Sequence, residues 1–152
     1  MECQMFKKVL IATDGSELAR KAVRTGLELA KALNADVTLV TVTEPWPVVE
    51  MAAQAEMGSK DPVGAYELLA QKGAQSTLEA AAKIAGKVGI GCEQFHVRDQ
   101  HPSDGILQTA AKQGSDLIVI ASHGRRGLRK IMLGSIANEV VTKSTVPVFI
   151  VR

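Results

Sequence analysis

Aromatic side chains are scarce in this 152-residue chain: Phe6, Trp46, Tyr66, Phe95 and Phe149 are the whole set. Five rings are too few for the stacking platforms that hold single-stranded nucleic acid. A formal net charge of +2 is too small to draw in a duplex or an acidic membrane surface. The two cysteines, Cys3 and Cys92, form no metal-spaced pair and no disulfide framework, which fits a reducing, cytoplasmic setting. No segment approaches the roughly 18 apolar residues of a membrane span. The apolar run after Lys7-Lys8, Val9 to Ala12, is shorter than the apolar region of a secretion signal. Also missing is a Gly-x-x-x-x-Gly-Lys-Ser/Thr loop, and Gly89-x-Gly91 lacks the third glycine of a dinucleotide fingerprint. Internal repeats and low-complexity stretches are absent as well. These absences predict a soluble protein with no nucleic-acid or membrane partner.

What is present is a globular composition, 46% hydrophobic and 22% charged, long enough for one domain over residues 1–152 with a single good core. Apolar runs alternate with segments of helical periodicity. Val9-Leu10-Ile11-Ala12 reads as a buried strand ending in the turn Thr13-Asp14-Gly15-Ser16, after which Ala19, Ala22, Val23, Leu27, Ala30 and Leu33 mark one helical face. A second strand covers residues 37–42. Residues 44–63 carry three prolines and read as a long connection with one helical turn, a length that is uncommon unless functional. A helix follows over residues 63–88, with Leu69, Leu78, Ala81, Ala82 and Ile84 inward and Gly89 as its stop. Residues 93–97 suit a polar edge strand, and Pro102 suits the first turn of a helix ending near Gly114. Residues 117–121 form a fourth strand, Ser135 begins the last helix and residues 148–151 the fifth strand, while Met132 and Leu133 are expected to fill the core.

Strands separated by helices imply right-handed crossovers and an open α/β parallel sheet covered on both faces. Ligands of such sheets bind beyond the C-terminal ends of the strands. Two suggestive segments lie there: Thr13-Asp14 after the first strand and residues 121–135 after the fourth. The second is a strand end, a glycine-containing basic loop (Arg125, Arg126, Arg129, Lys130) and a helix opening at Gly134-Ser135. A helix N-terminus offers unpaired amide groups and partial positive charge, so this stretch is expected to bind phosphate.

Ala121-Ser122-His123-Gly124, nine residues, then Gly134-Ser135 resembles the nucleotide loop of the universal stress protein family: Gly, two residues, Gly, nine residues, Gly, then Ser or Thr. Lys8-Val-Leu-Ile-Ala-Thr-Asp14, Leu39-Val-Thr-Val42 and Val146-Pro-Val-Phe-Ile-Val151 extend the resemblance along the chain. It implies a five-stranded Rossmann-like sheet ordered 3-2-1-4-5 and a homodimer joined antiparallel through the last strands. In the family's nucleotide-binding branch it implies ATP, or AMP or another adenine nucleotide, with Mg2+ carried by the phosphates. By that resemblance Asp14 bonds a ribose hydroxyl, Ala12 and Thr13 offer backbone, and the Val42 main chain meets adenine. Ala121, Ser122, Gly124, Arg125, Gly134, Ser135 and Ile136 supply the loop side. The first glycine of the pattern is Ala121 here, which adds a methyl group and gives up positive φ.

Each assignment has a structural rival. Asp14 with Glu17 matches a capping box, Ser135 can cap the last helix, Val42 can be plain core, and the cationic cluster can be a solvated face. His123 reads as a structural loop residue, and His96 and His101 have no assigned role. The terminal strand, residues 146–151, has too little charge to protect a free edge and is expected to pair with a partner chain, Pro147 restricting which amides pair. Phosphoryl transfer needs a positioned base or water-orienting group, and Asp14, the one carboxylate near the loop, is assigned to the sugar. The expected function is an ATP-binding regulatory stress-response homodimer that signals to an unknown protein partner. A nucleotide-free scaffold dimer and a weak ATPase or autophosphorylating enzyme are the alternatives.

Overall fold

The computed structural model describes residues 5–125 and 132–152. Its elements, in order, are β1 (Lys8–Ala12), α1 (Glu17–Leu33), β2 (Asp36–Val42), α2 (Val48–Glu56), α3 (Pro62–Val88), β3 (Glu93–Val97), α4 (Pro102–Gln113), β4 (Leu117–Ala121), α5 (Ser135–Lys143) and β5 (Val148–Val151). The five strands form one parallel sheet in the order β3-β2-β1-β4-β5. The sheet order is the expected one, and β1 and β4 are direct neighbours, with Leu10 opposite Ile118.

The central strands read as unbroken apolar runs because both faces are covered. Side chains alternate along β1: Val9 and Ile11 join α1 and α3 in one core cluster, while Leu10 and Ala12 join α4 and α5 in the other. Gly26 lets α1 lie close on the sheet, since a Cβ there would sit 2.8 Å from Ile11 Cδ1 and 3.1 Å from Val119 Cγ1. At the foot of the sheet the Asp116 carboxylate accepts the amides of Lys7 (2.9 Å) and Lys8 (3.0 Å), stitching β1 to β4.

Three expectations change. The connection after β2 holds a nine-residue helix rather than a single turn. Its prolines do not interrupt helix: Pro47 is the N-cap of α2 and Pro62 opens α3, positions that need no amide donor. Between them Ala52, Ala53 and Ala55 favour helix without packing, and α2 has no buried residue. Leu69 is 70% exposed. The inward face of α3 is Ala74, Leu78, Ala81 and Ala85, and five residues before Ala74 is about 140° around a helix of 3.6 residues per turn. Met132 is also exposed rather than core, whereas Leu133 packs against the α4/α5 cluster.

Candidate functional site

The tips of β1 and β4 stand side by side, and their chains leave toward opposite faces, β1 into α1 and β4 into α5. Ala12 and Thr13 are buried at the first tip, Ala121 and Ser122 at the second. Thr13 donates its amide to the Val40 carbonyl (2.9 Å), and its hydroxyl accepts the amide of Gly15 (3.2 Å). Gly15 turns with φ +78°, a conformation that favours glycine.

Asp14 is the strap across the two tips. One carboxylate oxygen accepts the Ser16 amide and the other accepts the Arg125 amide, both at 2.9 Å. Gly124 lies so close that a Cβ would collide with the Asp14 carboxylate. The capping-box expectation is therefore corrected: Ser16, not Asp14, is the N-cap of α1, its hydroxyl accepting the Ala19 amide at 3.2 Å. Two amides occupy two of about four acceptor positions on a carboxylate, so Asp14 keeps lone pairs for a further donor.

On the other side, Ser122 donates its amide to Val151 (2.8 Å) and accepts the Gly134 amide (2.7 Å) on its carbonyl. A Cβ on Gly134 would lie 3.0 Å from that carbonyl and 3.1 Å from His123 Cα, so glycine is needed there for close approach. Its φ of −60° is open to any residue. Gly134 is the N-cap of α5, and no side chain caps the helix. Ser135 occupies the first helical position and is exposed, which corrects the expectation that it caps α5. Among the described residues no side chain takes the first-turn amides, and Ile136 packs its side chain into the α4/α5 cluster.

Ala121 ends β4 opposite Val151, its side chain in the cluster under α1 and α3. Among the described residues, positive φ outside glycine occurs only at Asn34 and Asp99, so this position makes no demand for glycine torsion. The Val42 side chain packs on α4, where a Cβ at Gly105 would come 2.8 Å from Val42 Cγ2; only its main chain is available to a ligand. The His123 ring lies 3.1 Å from the Ser122 hydroxyl, as suits a structural residue. Of the cationic cluster, Arg126, Arg129 and Lys130 lie outside the described residues, as do Gly127 and Cys3. The Arg125 guanidinium reaches over Gly15 toward Thr77 of α3. It lines a cavity between α1 and α3 together with Arg20 and Ser76. Sequence reading missed that cavity, because polar residues spaced along helices read as a solvated face.

Elsewhere the chemistry is bland. His96 is held below its usual value by burial and by Arg98, and it shares a 2.8 Å hydrogen bond with the Thr43 hydroxyl. Burial pushes the Cys92 thiol up, away from the reactive thiolate. Among the described residues, no group of three or more His, Cys, Asp and Glu side chains is placed to hold a metal ion, and no helix is long and apolar enough to cross a membrane.

Comparison with known proteins gives this geometry a context. The universal stress protein family matches residues 5–152. Universal stress protein MJ0531 of Methanocaldococcus jannaschii is 32% identical over 150 residues, covering 97% of this chain and 83% of the relative. The solved structure of MJ0577 from the same organism has a TM-score of 0.73 at 29% identity, covering 97% of this chain and 96% of that one. A universal stress protein from Archaeoglobus fulgidus, solved in complex with dAMP, shares the fold at a TM-score of 0.68 and 23% identity, covering 97% and 99% of the two chains. The sheet order, the glycine loop and the extent of these matches lead to one conclusion: this chain belongs to the universal stress protein family.

Proposed function

We propose that the chain binds an adenine nucleotide, ATP with Mg2+ on its phosphates or AMP, in the crevice between the β1 tip and the loop after β4. It then acts as a homodimeric regulator of a stress response. The single observation that carries this reading is the junction of Asp14 with the Gly124 loop, next to an α5 N-terminus that no side chain caps. A carboxylate with free lone pairs accepts hydrogen bonds from sugar hydroxyl groups, and first-turn amides with the helix dipole take up phosphate charge. In this assignment Ala12, Thr13 and Asp14 serve the ribose side and the Val42 main chain the base. Ser122, Gly124, the Arg125 main chain, Gly134, Ser135 and Ile136 line the phosphate side. The dAMP complex of the Archaeoglobus relative supports adenine as the base.

The methyl group of Ala121, the departure that favours the scaffold alternative, does not oppose this reading, since it is sequestered in the core with no strain on the backbone. The Asp14 carboxylate already holds two amides, which favours binding over turnover. The homodimer would form at the open edge of β5, where Phe149 is 42% exposed and unpaired backbone groups invite a second strand. Nucleotide would act by favouring one of two conformations of the loop or of the α2 connection, read by a protein partner.

Mass spectrometry of small molecules released from freshly purified, denatured protein tests the ligand, with ATP or AMP expected. Protein that is empty, and that gives no heat with ATP or AMP in calorimetry, would instead support the scaffold reading. Sedimentation of the intact chain tests the dimer, with twice the chain mass expected.

A further inference from the structure

The cavity between α1 and α3 has a volume of about 220 Å3; it meets the nucleotide crevice at Thr13 and Arg125, but the nucleotide assignment uses neither Arg20 nor the α3 side chains that line it. Arg20, from the first turn of α1, and Arg125, from the loop after β4, both border it. Ser76 and Thr77 of α3 add hydroxyl groups, and Val23 and Ile84 give it an apolar end. Among the described residues no acidic side chain lines it, and neither guanidinium has an ion-pair partner.

Gly15 makes the cationic end possible. A Cβ at that position would lie 2.9 Å from both Arg125 Nη2 and Thr77 Oγ1, so the guanidinium and the hydroxyl face each other across a missing side chain. The φ of +78° reserves the position for glycine.

Arg20 and Arg125 are both exposed residues on the rim of one cavity, and two guanidinium groups placed there without a carboxylate favour a bound anion. Their ten N–H groups with two hydroxyls exceed what the two oxygens of a carboxylate can accept, whereas a phosphate monoester offers three strong acceptor oxygens. The volume lies below the roughly 300–1,000 Å3 of pockets for drug-sized ligands, so a whole nucleotide does not fit. We propose that this cavity is a second ligand site, taking a small phosphate monoester with a tail of a few carbons. The phosphate lies between Arg20, Arg125 and Thr77, and a short hydroxylated tail lies beside the Ser76 hydroxyl, its carbon backbone against Val23 and Ile84. Because Arg125 also donates its amide to Asp14, a ligand here holds the loop against the β1 tip.

Calorimetric titration of glycerol 3-phosphate into the intact chain, with glycerol and inorganic phosphate as controls, tests the site. Saturable one-to-one binding is expected, tighter than for inorganic phosphate and absent with glycerol, and undisplaced by saturating ATP. Arg20→Ala replaces an exposed residue outside the nucleotide crevice and is expected to weaken glycerol 3-phosphate at least tenfold with ATP affinity unchanged. Thr77→Val gives an independent reading, with a severalfold loss. Absence of saturable binding, equal affinity for Arg20→Ala and wild type, no preference over inorganic phosphate, or stoichiometric displacement by ATP would each overturn the assignment.

Discussion

Asp14 accepts the amide of Arg125 at 2.9 Å across 111 residues of chain, so the first crossover and the fourth are tied at their origins by one carboxylate. The same side chain orders the turn into α1 through Ser16. The structural role of Asp14 and its proposed ligand-binding role therefore fall on one residue, and different measurements separate them.

Asp14→Asn keeps one acceptor oxygen and replaces the other with an amide donor, which opposes either the Ser16 or the Arg125 N–H. Hydrogen bonds to a charged group contribute about 1.5–3 kcal/mol each, so a stability loss of about 1–2 kcal/mol is expected in urea denaturation. Nucleotide affinity should fall further than that loss accounts for when the folded fraction is held constant. Equal losses in the two measurements would leave Asp14 a structural strap alone.

Ser135→Asp separates the phosphate site from folding. A carboxylate in the first turn of α5 is favoured by the helix dipole by about 0.3–1 kcal/mol, so the melting temperature should hold or rise. The same charge repels phosphate, and ATP affinity should fall at least tenfold by calorimetry. This variant is cleaner than Gly134→Val, whose side chain would press on the Ser122 carbonyl and His123. Retained ATP affinity would remove α5 from the site.

Gly26→Ala tests the approach of α1 to the sheet. Alanine gains about 1 kcal/mol of helix propensity, but overpacking typically costs about 1–3 kcal/mol. The added methyl group would meet side chains of both Ile11 and Val119, so a net loss is expected by thermal melting, with ligand binding unchanged.

The contact between α4 and α5 should carry a pH signature. Glu139 accepts the Ser103 hydroxyl at 2.6 Å and lies 2.8 Å from His101 Nε2. The hydrogen bond from Ser103, then that from His101, hold its carboxyl below the ordinary 4.5. A depressed carboxylate contributes stability above its unfolded value and loses it as pH falls through the folded one. The stability advantage of wild type over Glu139→Gln should thus be full at neutral pH and shrink below about pH 4.5 in denaturant titrations. An advantage independent of pH would remove the carboxylate charge from the contact.

Attachment of α2 is tested by local exchange rather than by global stability. Trp46 and Tyr66 stack with centroids 4.9 Å apart, the Trp46 indole donates to Glu50, and the Tyr66 hydroxyl donates to the Glu44 carbonyl. Since α2 buries nothing, Tyr66→Ala should speed amide exchange in residues 46–57 and shift the fluorescence of the sole tryptophan. The cooperative melting temperature should stay nearly constant.

The strands were legible in sequence because β4 and β1 from Val9 onward are buried on both faces and carry only apolar residues there, and because Gly89 and Gly114 stop helices where left-handed backbone is required. Neighbouring β1 and β4 then brought Asp14 and the glycine loop together. The phase of α3 was not legible: its composition is apolar around much of the helix, and only packing against α1 and the sheet selects the Ala74 to Ala85 face. Ser16 and Asp14 both satisfy capping chemistry, and the choice depends on a partner, Arg125, that no local pattern contains. Arg20 and Thr77 likewise acquire a role only when two helices meet.

One residue, Ser122, gives its carbonyl to the start of α5 and its amide to the end of β5. Displacing Gly134 by a fraction of an ångström to admit or release a charged group therefore tugs on Val151 without any intervening side chain. Whatever reads the outer rim of the sheet is mechanically one residue away from whatever sits at its crest.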